Sequence, residues 1–210
     1  MVSPVPVICV AGPSAAGKTT LVAALQQRLS SEGRLVLRLS CDDYYRQDWI
    51  PDPRYGYDTV EAIETPALLD ELERLRQRRC VDRRAYDMRL RRVSRQPVPQ
   101  AYDVIVLEGA YGPQALVEPR VVSALVYLDA NVLLRLIRRL RRDVVQRRRP
   151  LGYVIRQMLT EMLPGEQRFI APLRASADLV IRDQRSGVIA LQGLIDDLCG
   201  FEYLRSDSHA

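Results

Sequence analysis

The sequence Gly12-Pro13-Ser14-Ala15-Ala16-Gly17-Lys18-Thr19 matches the phosphate-binding pattern G-x-x-x-x-G-K-[ST] at every fixed position. The short apolar run 5–11 predicts a buried strand before this loop, and the leucines that share one face of 17–31 predict a helix after it. In this context successive backbone N–H groups surround a phosphate, and the positive end of the helix faces the same anion. The sequence therefore predicts a nucleotide-binding loop.

The pattern also assigns roles within the loop. Lys18 would reach the β- and γ-phosphates of ATP, and the Thr19 hydroxyl would bind Mg²⁺. Lys18 is the only lysine of the chain, whereas the other 30 basic residues are arginines, so this position requires a compact ammonium on a flexible stem. We expect ATP to contact the loop and the start of the helix, namely Gly12, Pro13, Ser14, Ala15, Ala16, Gly17, Lys18, Thr19 and Thr20.

Composition excludes several classes of protein. The 210 residues are 47% hydrophobic and 27% charged, as in one ordinary globular domain. The only histidine is His209, near the C-terminus, which excludes Ser-His-Asp, Cys-His and H-E-x-x-H chemistry. The four cysteines are far apart, and no apolar run reaches the ~18 residues of a membrane span. Because the N-terminus also lacks a basic signal region, we expect a cytoplasmic protein without disulfides or a membrane anchor.

Apolar runs alternate with helical patterns, which predicts an α/β fold: a P-loop NTPase with a mainly parallel sheet flanked by helices. The predicted strands are 5–11, 35–39, 103–107, 122–128 and 177–181. The predicted helices are 17–31, 66–79, a long one capped by Asn131, turns at 151–163 and 165–171, and 186–199. We expect a single kinase-sized domain over 1–210, with an acceptor-side insertion at about 41–100 that includes a small basic hairpin, an arginine-rich lid at about 135–150 and a C-terminal tail at about 200–210.

Acidic residues follow two of the predicted strands. Asp42 and Asp43 come after strand 35–39, and Glu108 comes after strand 103–107. Ligands of a doubly wound sheet collect at the carboxyl ends of its strands, so these acids would supply a general base for a hydroxyl and partners for Mg²⁺. The alternative is that the aspartates cap a helix and that Glu108 is a lone acid after a strand.

Positive charge is concentrated in two segments of an otherwise acidic chain. Residues 74–95 hold ten arginines and two acids, and residues 135–149 hold eight arginines and one acid, Asp143. Such segments suit a nucleic acid, a membrane surface or a small phosphorylated ligand, or are simply solvated faces. RNA binding favours exposed aromatics among the arginines, and the two segments contain only Tyr86.

The order of the motifs resembles that of uridine kinases, within the wider uridine kinase and phosphoribulokinase group. The resemblance covers residues 5–183 and rests on Gly12–Thr19, Asp42-Asp43-Tyr44-Tyr45, Tyr57-Asp58, Tyr86-Asp87, Leu107-Glu108-Gly109, Arg138-Arg139-x-x-Arg142-Asp143 with Arg147 and Arg149, and Ala177-Asp178. It implies an ATP-dependent kinase that phosphorylates a nucleoside 5′-hydroxyl, with uridine or cytidine giving UMP or CMP. The partners would be small molecules, not a specific nucleic acid or a membrane, and a homo-oligomer stays open.

The resemblance further implies how the site works. Asp42 would accept the proton of the attacking hydroxyl, and Thr19 would hold Mg²⁺ together with Asp42 and Glu108 acting through water. Asp58 would bind the ribose hydroxyls and Tyr86 the base. The residues implied to hold the acceptor are Tyr45, Asp58, Tyr86, Arg139 and Gln157. Those implied to act on the transferring phosphoryl group are Lys18, Arg142, Arg147 and Arg149. We expect the lid arginines to repel one another until phosphate arrives.

Three features depart from the family pattern. The histidine that helps uridine kinases read the pyrimidine is absent, and Arg91 stands near its place. Arg148 replaces the usual glycine of the lid, and the segment 57–62 also resembles nicotinamide riboside kinases. The acceptor therefore stays open among pyrimidine nucleosides, nicotinamide riboside and alcohols of the pantothenate type.

Outside enzymes, the alternatives are a nucleotide-dependent nucleic-acid binder and a protein that binds ATP without turnover. The intact motif residues argue against the latter.

Two local questions stay open at this level. The aromatic residues Trp49, Tyr55 and Tyr57 either line the acceptor site or pack the loop that carries them. Cys41 lies beside Asp42 and is a candidate for a thiol of unusual reactivity.

Overall fold

A five-stranded parallel sheet forms the centre of the computed structural model, which describes residues 4–117 and 121–200. In chain order the strands are β1 (Val7–Ala11), β2 (Val36–Ser40), β3 (Asp82–Asp87), β4 (Arg92–Pro97), β5 (Val104–Gly109), β6 (Ala124–Leu128) and β7 (Leu179–Ile181). The sheet has the order β2-β5-β1-β6-β7, and β3 and β4 form a separate antiparallel hairpin. The predicted parallel α/β sheet and the small hairpin are confirmed.

Helices cover both faces of the sheet. In chain order they are α1 (Lys18–Ser31), α2 (Thr65–Arg76), α3 (Gln114–Val117), α4 (Val132–Arg141), α5 (Leu151–Gln157), α6 (Leu163–Gly165) and α7 (Gln184–Cys199). Strand side chains alternate between the faces: Ile8 and Val10 of β1 pack with α1 and α7, whereas Cys9 and Ala11 pack on the side of α2. Because β1 is buried on both faces, its sequence is a continuous apolar run.

Local signals set the helix boundaries. After α1, Gly33 adopts a φ of +77°, and the N–H of Arg34 donates to the Leu29 carbonyl, which closes the helix as predicted. At the start of α4, the Asn131 side chain accepts from the N–H groups of Leu133 and Leu134, so the predicted cap is confirmed. Pro66 occupies the first turn of α2, where its missing N–H leaves no helical bond unmade.

The long helix predicted through the second arginine segment is confirmed as far as Gln146, three residues before that segment ends. α4 ends at Arg141, and one π-helical turn, Arg142–Gln146, follows before the chain leaves the helix. Pro150 explains the break, because it has no N–H and disfavours helical geometry in the residue before it. Beyond it the chain is helical almost without interruption over 151–174, where two separate groups of turns are predicted.

The hairpin is fixed beside the sheet by a buried carboxylate. Glu71 of α2 is 2% exposed, and it accepts from the Tyr44 hydroxyl at 2.9 Å and from the backbone N–H of Arg84 at 2.7 Å. Arg95 on the second hairpin strand pairs with the same carboxylate at 2.6 Å. These contacts hold the hairpin against the segment that follows β2, where the predicted catalytic acid lies.

Two predictions about the whole chain can be compared with the structure. Within 4–117 and 121–200, no helix is both long and apolar enough to cross a membrane. All four cysteines lie in these ranges, and none forms a disulfide. His209 and positions 201–210 of the predicted C-terminal tail lie outside the described residues.

Candidate active site

A cavity of about 1180 Å³ opens at the carboxyl ends of β1, β2 and β5, the edge where parallel sheets bind ligands. The structure brings together in its lining every residue expected to act in catalysis, acceptor binding or metal binding, namely Lys18, Thr19, Asp42, Tyr45, Asp58, Tyr86, Glu108, Arg139, Arg142, Arg147, Arg149 and Gln157. Among the nucleotide-binding residues, Ser14, Ala15, Gly17 and Thr20 also line it, whereas Gly12, Pro13 and Ala16 do not.

The phosphate loop needs its glycines for steric reasons. Gly12 has a φ of +149°, and a Cβ there would lie 2.6 Å from the Leu128 carbonyl oxygen, so the loop approaches β6 too closely for a side chain. Gly17 has a φ of +100° and precedes α1, whose N-terminus receives no side-chain cap. The first N–H groups of α1 are therefore free of an internal capping group and are suited to an anion.

Lys18 folds back over the loop. Its Nζ donates to the carbonyl oxygens of Gly12 at 2.8 Å and Pro13 at 3.0 Å. Burial lowers the pKa of the Lys18 ammonium, and the carboxylates of Asp42 and Glu108 oppose that shift. Neutral carbonyl oxygens thus hold the ammonium at the loop. The carboxylates of Asp42 and Glu108, the predicted metal-binding acids, supply negative charge near it.

Oxygen donors suited to Mg²⁺ lie beside the lysine. The Thr19 hydroxyl donates to Glu108 Oε2 at 2.9 Å, and Asp42 lines the same part of the cavity. Burial raises the pKa of both Asp42 and Glu108, although Lys18 beside them opposes the shift. A hydroxyl and two carboxylates fit a hard cation that keeps several waters and binds phosphate oxygens. No cluster of three His, Cys, Asp or Glu side chains with metal-site geometry occurs in the described part of the chain.

The two adjacent aspartates point to different partners. Asp42 lines the cavity, and its backbone N–H donates to the Ser40 hydroxyl at 3.2 Å. Asp43 does not line the cavity: its Oδ1 accepts the N–H of Tyr86 at 3.0 Å, and its Oδ2 faces Arg83 at 3.4 Å. Asp43 therefore attaches the hairpin, and Asp42 is the aspartate of this pair that lines the cavity.

The acceptor side of the cavity combines aromatic rings with a buried carboxylate. The Tyr45 ring lies 6.1 Å from that of Tyr86 and 6.4 Å from that of Tyr57. Asp58 is 7% exposed, and burial raises its pKa to about 6 despite Arg139, whose Nη2 is 3.6 Å from Oδ2. Gln157 is also buried, and its Oε1 has no hydrogen-bond partner in the described part of the chain. The aromatic rings suit a planar group. The carboxylate and the free amide oxygen suit the hydrogen-bond donors of a hydroxylated sugar attached to it.

The lid arginines surround the one acid of their segment. Arg142, Arg147 and Arg149 each lie within 4 Å of the Asp143 carboxylate, as does Arg139. A buried counter-ion therefore offsets part of the repulsion among these arginines, and the expectation that they repel one another until phosphate arrives stays a prediction.

The lid residue Arg148 has a backbone conformation that favours glycine. Arg148 has a φ of +54°, in the left-handed region that glycine adopts at little cost and other residues adopt rarely. The resemblance implies a glycine at this position, and a glycine would adopt this turn at little cost. Arg148 adopts the same conformation with local strain. Arg91 on the hairpin turn has a similar φ of +52°; its guanidinium lies 5.8 Å from the Tyr57 ring centre and bonds to the Trp49 carbonyl.

A network that the sequence did not reveal fixes the loop residue Ser14. Its N–H donates to Glu166 Oε1 at 2.8 Å, and its carbonyl accepts from Arg135 at 3.1 Å. Its hydroxyl accepts from Arg139 at 2.9 Å. Glu166 and Arg135 form a buried pair at 2.9 Å, so the phosphate loop is joined to α4. No motif marks Glu166, because its partners lie more than 30 residues away.

Packing answers the two local questions that the sequence left open. Tyr57 lines the cavity, whereas the Trp49 Nε1 donates to the Gly56 carbonyl and the Tyr55 ring packs on Phe169. Cys41 is fully buried, and burial raises the pKa of its thiol well above the ordinary value, so a reactive thiolate is disfavoured.

Tyr111, which sequence reasoning missed, lines the cavity three residues after Glu108.

Three of the eighteen arginines in the two basic segments are buried in internal contacts. Arg84 is 9% exposed and bonds to the carbonyl oxygens of Asp43 and Tyr45. Arg135 and Arg139 are buried as well. These three side chains are not available to a nucleic acid backbone.

Known proteins match this chain over most of its length. The model of the phosphoribulokinase / uridine kinase family matches residues 7–190. The chain belongs to this family. It is 31% identical over 194 residues to a uridine kinase from Oceanobacillus iheyensis, covering 88% of this chain and 90% of that protein. It is 30% identical over 194 residues to the uridine kinase of Anoxybacillus flavithermus, covering 90% and 91%.

Solved structures of the family share its fold. A possible uridine kinase from Bacillus stearothermophilus matches with a TM-score of 0.59 at 17% identity, over 86% of this chain and 90% of that one. Phosphoribulokinase from Rhodobacter spheroides matches with a TM-score of 0.61 at 14% identity, over 89% and 74%. This member of the phosphoribulokinase / uridine kinase family is an ATP-dependent kinase with a small-molecule substrate.

Proposed function

We propose that this kinase phosphorylates the 5′-hydroxyl of a nucleoside, converting uridine or cytidine to UMP or CMP. One observation carries the proposal: a single cavity joins the phosphate loop to Asp42 and to the aromatic group of Tyr45, Tyr57 and Tyr86 beside Asp58. The uridine kinases among the relatives support a nucleoside as the acceptor.

In the proposed reaction the acceptor oxygen bonds to the γ-phosphorus of ATP, the bond from that phosphorus to the β,γ-bridging oxygen breaks, and ADP leaves. Asp42 accepts the proton of the attacking hydroxyl. Burial raises the pKa of Asp42, which makes its carboxylate a stronger base than an exposed aspartate, while Lys18 and Arg142 oppose the shift. Lys18 and the lid arginines stabilise charge on the transferring group.

Mg²⁺ would supply charge neutralisation at the β- and γ-phosphate oxygens. Thr19 would hold it directly, and Asp42 and Glu108 would hold it through water. The Thr19 hydroxyl donates to Glu108 Oε2, and this bond keeps both oxygens on the side of the loop where the metal would bind.

The acceptor side offers matching chemistry to a nucleoside. The ionised Asp58 accepts hydrogen bonds from two neighbouring ribose hydroxyls, because a carboxylate has two oxygens and no donor. Tyr57 and Tyr86 line the cavity, and their rings would flank the planar base. Arg139 and Gln157 complete the acceptor site, and the free Gln157 oxygen accepts from the ligand.

Turnover across a panel of acceptors tests the proposal. Purified protein is assayed for ADP release with Mg-ATP and one acceptor at a time: uridine, cytidine, nicotinamide riboside or pantothenate. We expect kcat/KM for uridine or cytidine to exceed that for the others by roughly 10²-fold or more, since buried hydrogen-bonding groups discriminate strongly. Preference for nicotinamide riboside or pantothenate would contradict the proposed acceptor while leaving the kinase fold intact.

Acceptor binding should depend on pH through Asp58. Its pKa is raised to about 6 by burial, so the ionised form that accepts ribose hydroxyls is lost as pH falls through about 6. We expect the acceptor KM to rise as pH falls through that range, with the ATP KM changing less. Asp58→Asn should raise the acceptor KM at pH 8 and remove the inflection near pH 6. An unchanged inflection in this variant would assign the titration to another group.

A further inference from the structure

Asp143 is the only acid of the arginine-rich segment 135–149, and its side chain is fully buried. Its Oδ1 lies 3.3 Å from Arg142 Nε and 3.2 Å from Arg147 Nη1. Its Oδ2 lies 3.6 Å from Arg139 Nε and 3.9 Å from Arg149 Nη1. One carboxylate thus meets four guanidinium groups, two at each oxygen.

The carboxylate lies behind these arginines as seen from the cavity. All four line the cavity, whereas Asp143 does not. A guanidinium has five N–H donors, so contact with Asp143 leaves donors on each arginine for a ligand. The arrangement presents positive charge to the cavity and keeps the balancing negative charge out of it.

The backbone around Asp143 orders the same segment. The N–H of Arg149 donates to the Asp143 carbonyl at 3.0 Å, and the N–H of Arg147 donates to the Arg142 carbonyl at 3.1 Å. Burial and the neighbouring Arg142 lower the pKa of Arg147, whereas Asp143 opposes the shift. The arginines are therefore crowded, and Asp143 is the acid that offsets their mutual repulsion.

One contact in this cluster is incomplete. Arg139 Nε and Asp143 Oδ2 face each other at 3.6 Å, and neither has a hydrogen-bond partner among the residues the structure describes. A normal bond is about 2.9 Å long, so a movement of less than 1 Å would satisfy both atoms. Arg139 also bonds to the Ser14 hydroxyl, which links the lid carboxylate to the phosphate loop.

We infer that Asp143 is the positioning residue of the lid, holding Arg142, Arg147 and Arg149 in the arrangement that meets the transferring phosphoryl group. The identity of that group rests on the proposed function. The carboxylate itself touches neither substrate, and it acts through the arginines by fixing them before the ligand arrives, which is electrostatic preorganisation.

The test compares Asp143→Asn, which removes the charge at nearly constant shape, with Asp143→Glu, which keeps it. Asp129→Asn is the matched control, because Asp129 pairs with Arg174 and Arg182 and does not line the cavity. For Asp143→Asn we expect kcat to fall by about 10²-fold, the cost of misplaced groups, with the ATP dissociation constant and acceptor KM within about threefold of wild type. Asp143→Glu should recover part of the loss, and Asp129→Asn should show none.

Two outcomes would overturn the inference. A kcat within threefold of wild type in Asp143→Asn would show that the arginines need no internal counter-ion. A parallel loss of kcat, ATP affinity and Tm, without recovery in Asp143→Glu, would make Asp143 a scaffold residue only.

If the wild-type protein phosphorylates no nucleoside, the proposed function fails, and amide exchange of the protein without ligand decides the inference instead. Residues 144–149 should exchange roughly tenfold faster in Asp143→Asn than in wild type. Unchanged exchange would refute the inference.

Discussion

Lys18→Arg is expected to lower kcat by roughly 10²–10³-fold, although the charge is retained. The Lys18 ammonium fits between the carbonyl oxygens of Gly12 and Pro13 at 2.8 and 3.0 Å. A planar guanidinium is wider and directs its donors in a fixed fork, so it cannot occupy this position and still reach the phosphates. The measurement is kcat and KM for ATP with saturating acceptor.

Arg79→Lys is the control for this substitution, because Arg79 is exposed on the loop after α2. It should leave kcat and KM unchanged, which would show that arginine and lysine are interchangeable away from the loop. Near-normal kcat in Lys18→Arg would mean that the loop does not need a compact ammonium and would contradict the role assigned to it.

Asp42→Asn is expected to lower kcat by roughly 10²–10⁴-fold, since the variant keeps the shape of the side chain but cannot accept the proton. ATP affinity should change less, because the phosphate loop is untouched. Asp43→Asn should instead destabilise the protein by about 1 kcal/mol, the net worth of a hydrogen bond, because Asp43 accepts the Tyr86 N–H that attaches the hairpin. Its kcat should stay within about tenfold of wild type.

Kinetics and thermal unfolding of both aspartate variants distinguish the roles. If Asp43→Asn loses turnover and Asp42→Asn does not, the base has been assigned to the wrong residue of the pair. If neither loses turnover, proton acceptance by an aspartate is not part of the reaction.

Much of the fold could be predicted because its signals are local. The apolar run before Gly12, the Asn131 cap and the glycine after α1 each act over a few residues, and all three appear in the structure. The cavity was also predictable, because residues that follow parallel strands must meet at one edge of the sheet. Asp42 and Glu108 come together for this reason although they are far apart in the sequence.

The parts that sequence reasoning missed depend on long-range packing. Glu166 reaches the Ser14 N–H across 152 positions, and no periodicity or spacing encodes that contact. The place of Asp143 could not be predicted either, because a single acid among eight arginines gives no sign that it contacts four of them. The identity of the acceptor depends on which side chains face the bound molecule. A sequence pattern does not specify the directions in which those side chains point.

Identification of the product tests the central claim most directly. The purified protein is incubated with Mg-ATP and uridine, and the products are analysed by phosphorus NMR and mass spectrometry, with Lys18→Arg as the control. We expect ADP and uridine 5′-monophosphate in equal amounts, with the phosphorus coupled to the 5′ protons of the ribose, and a strongly reduced yield from the variant. ADP without any phosphorylated nucleoside, or phosphate on a ribose 2′- or 3′-oxygen, would contradict the account.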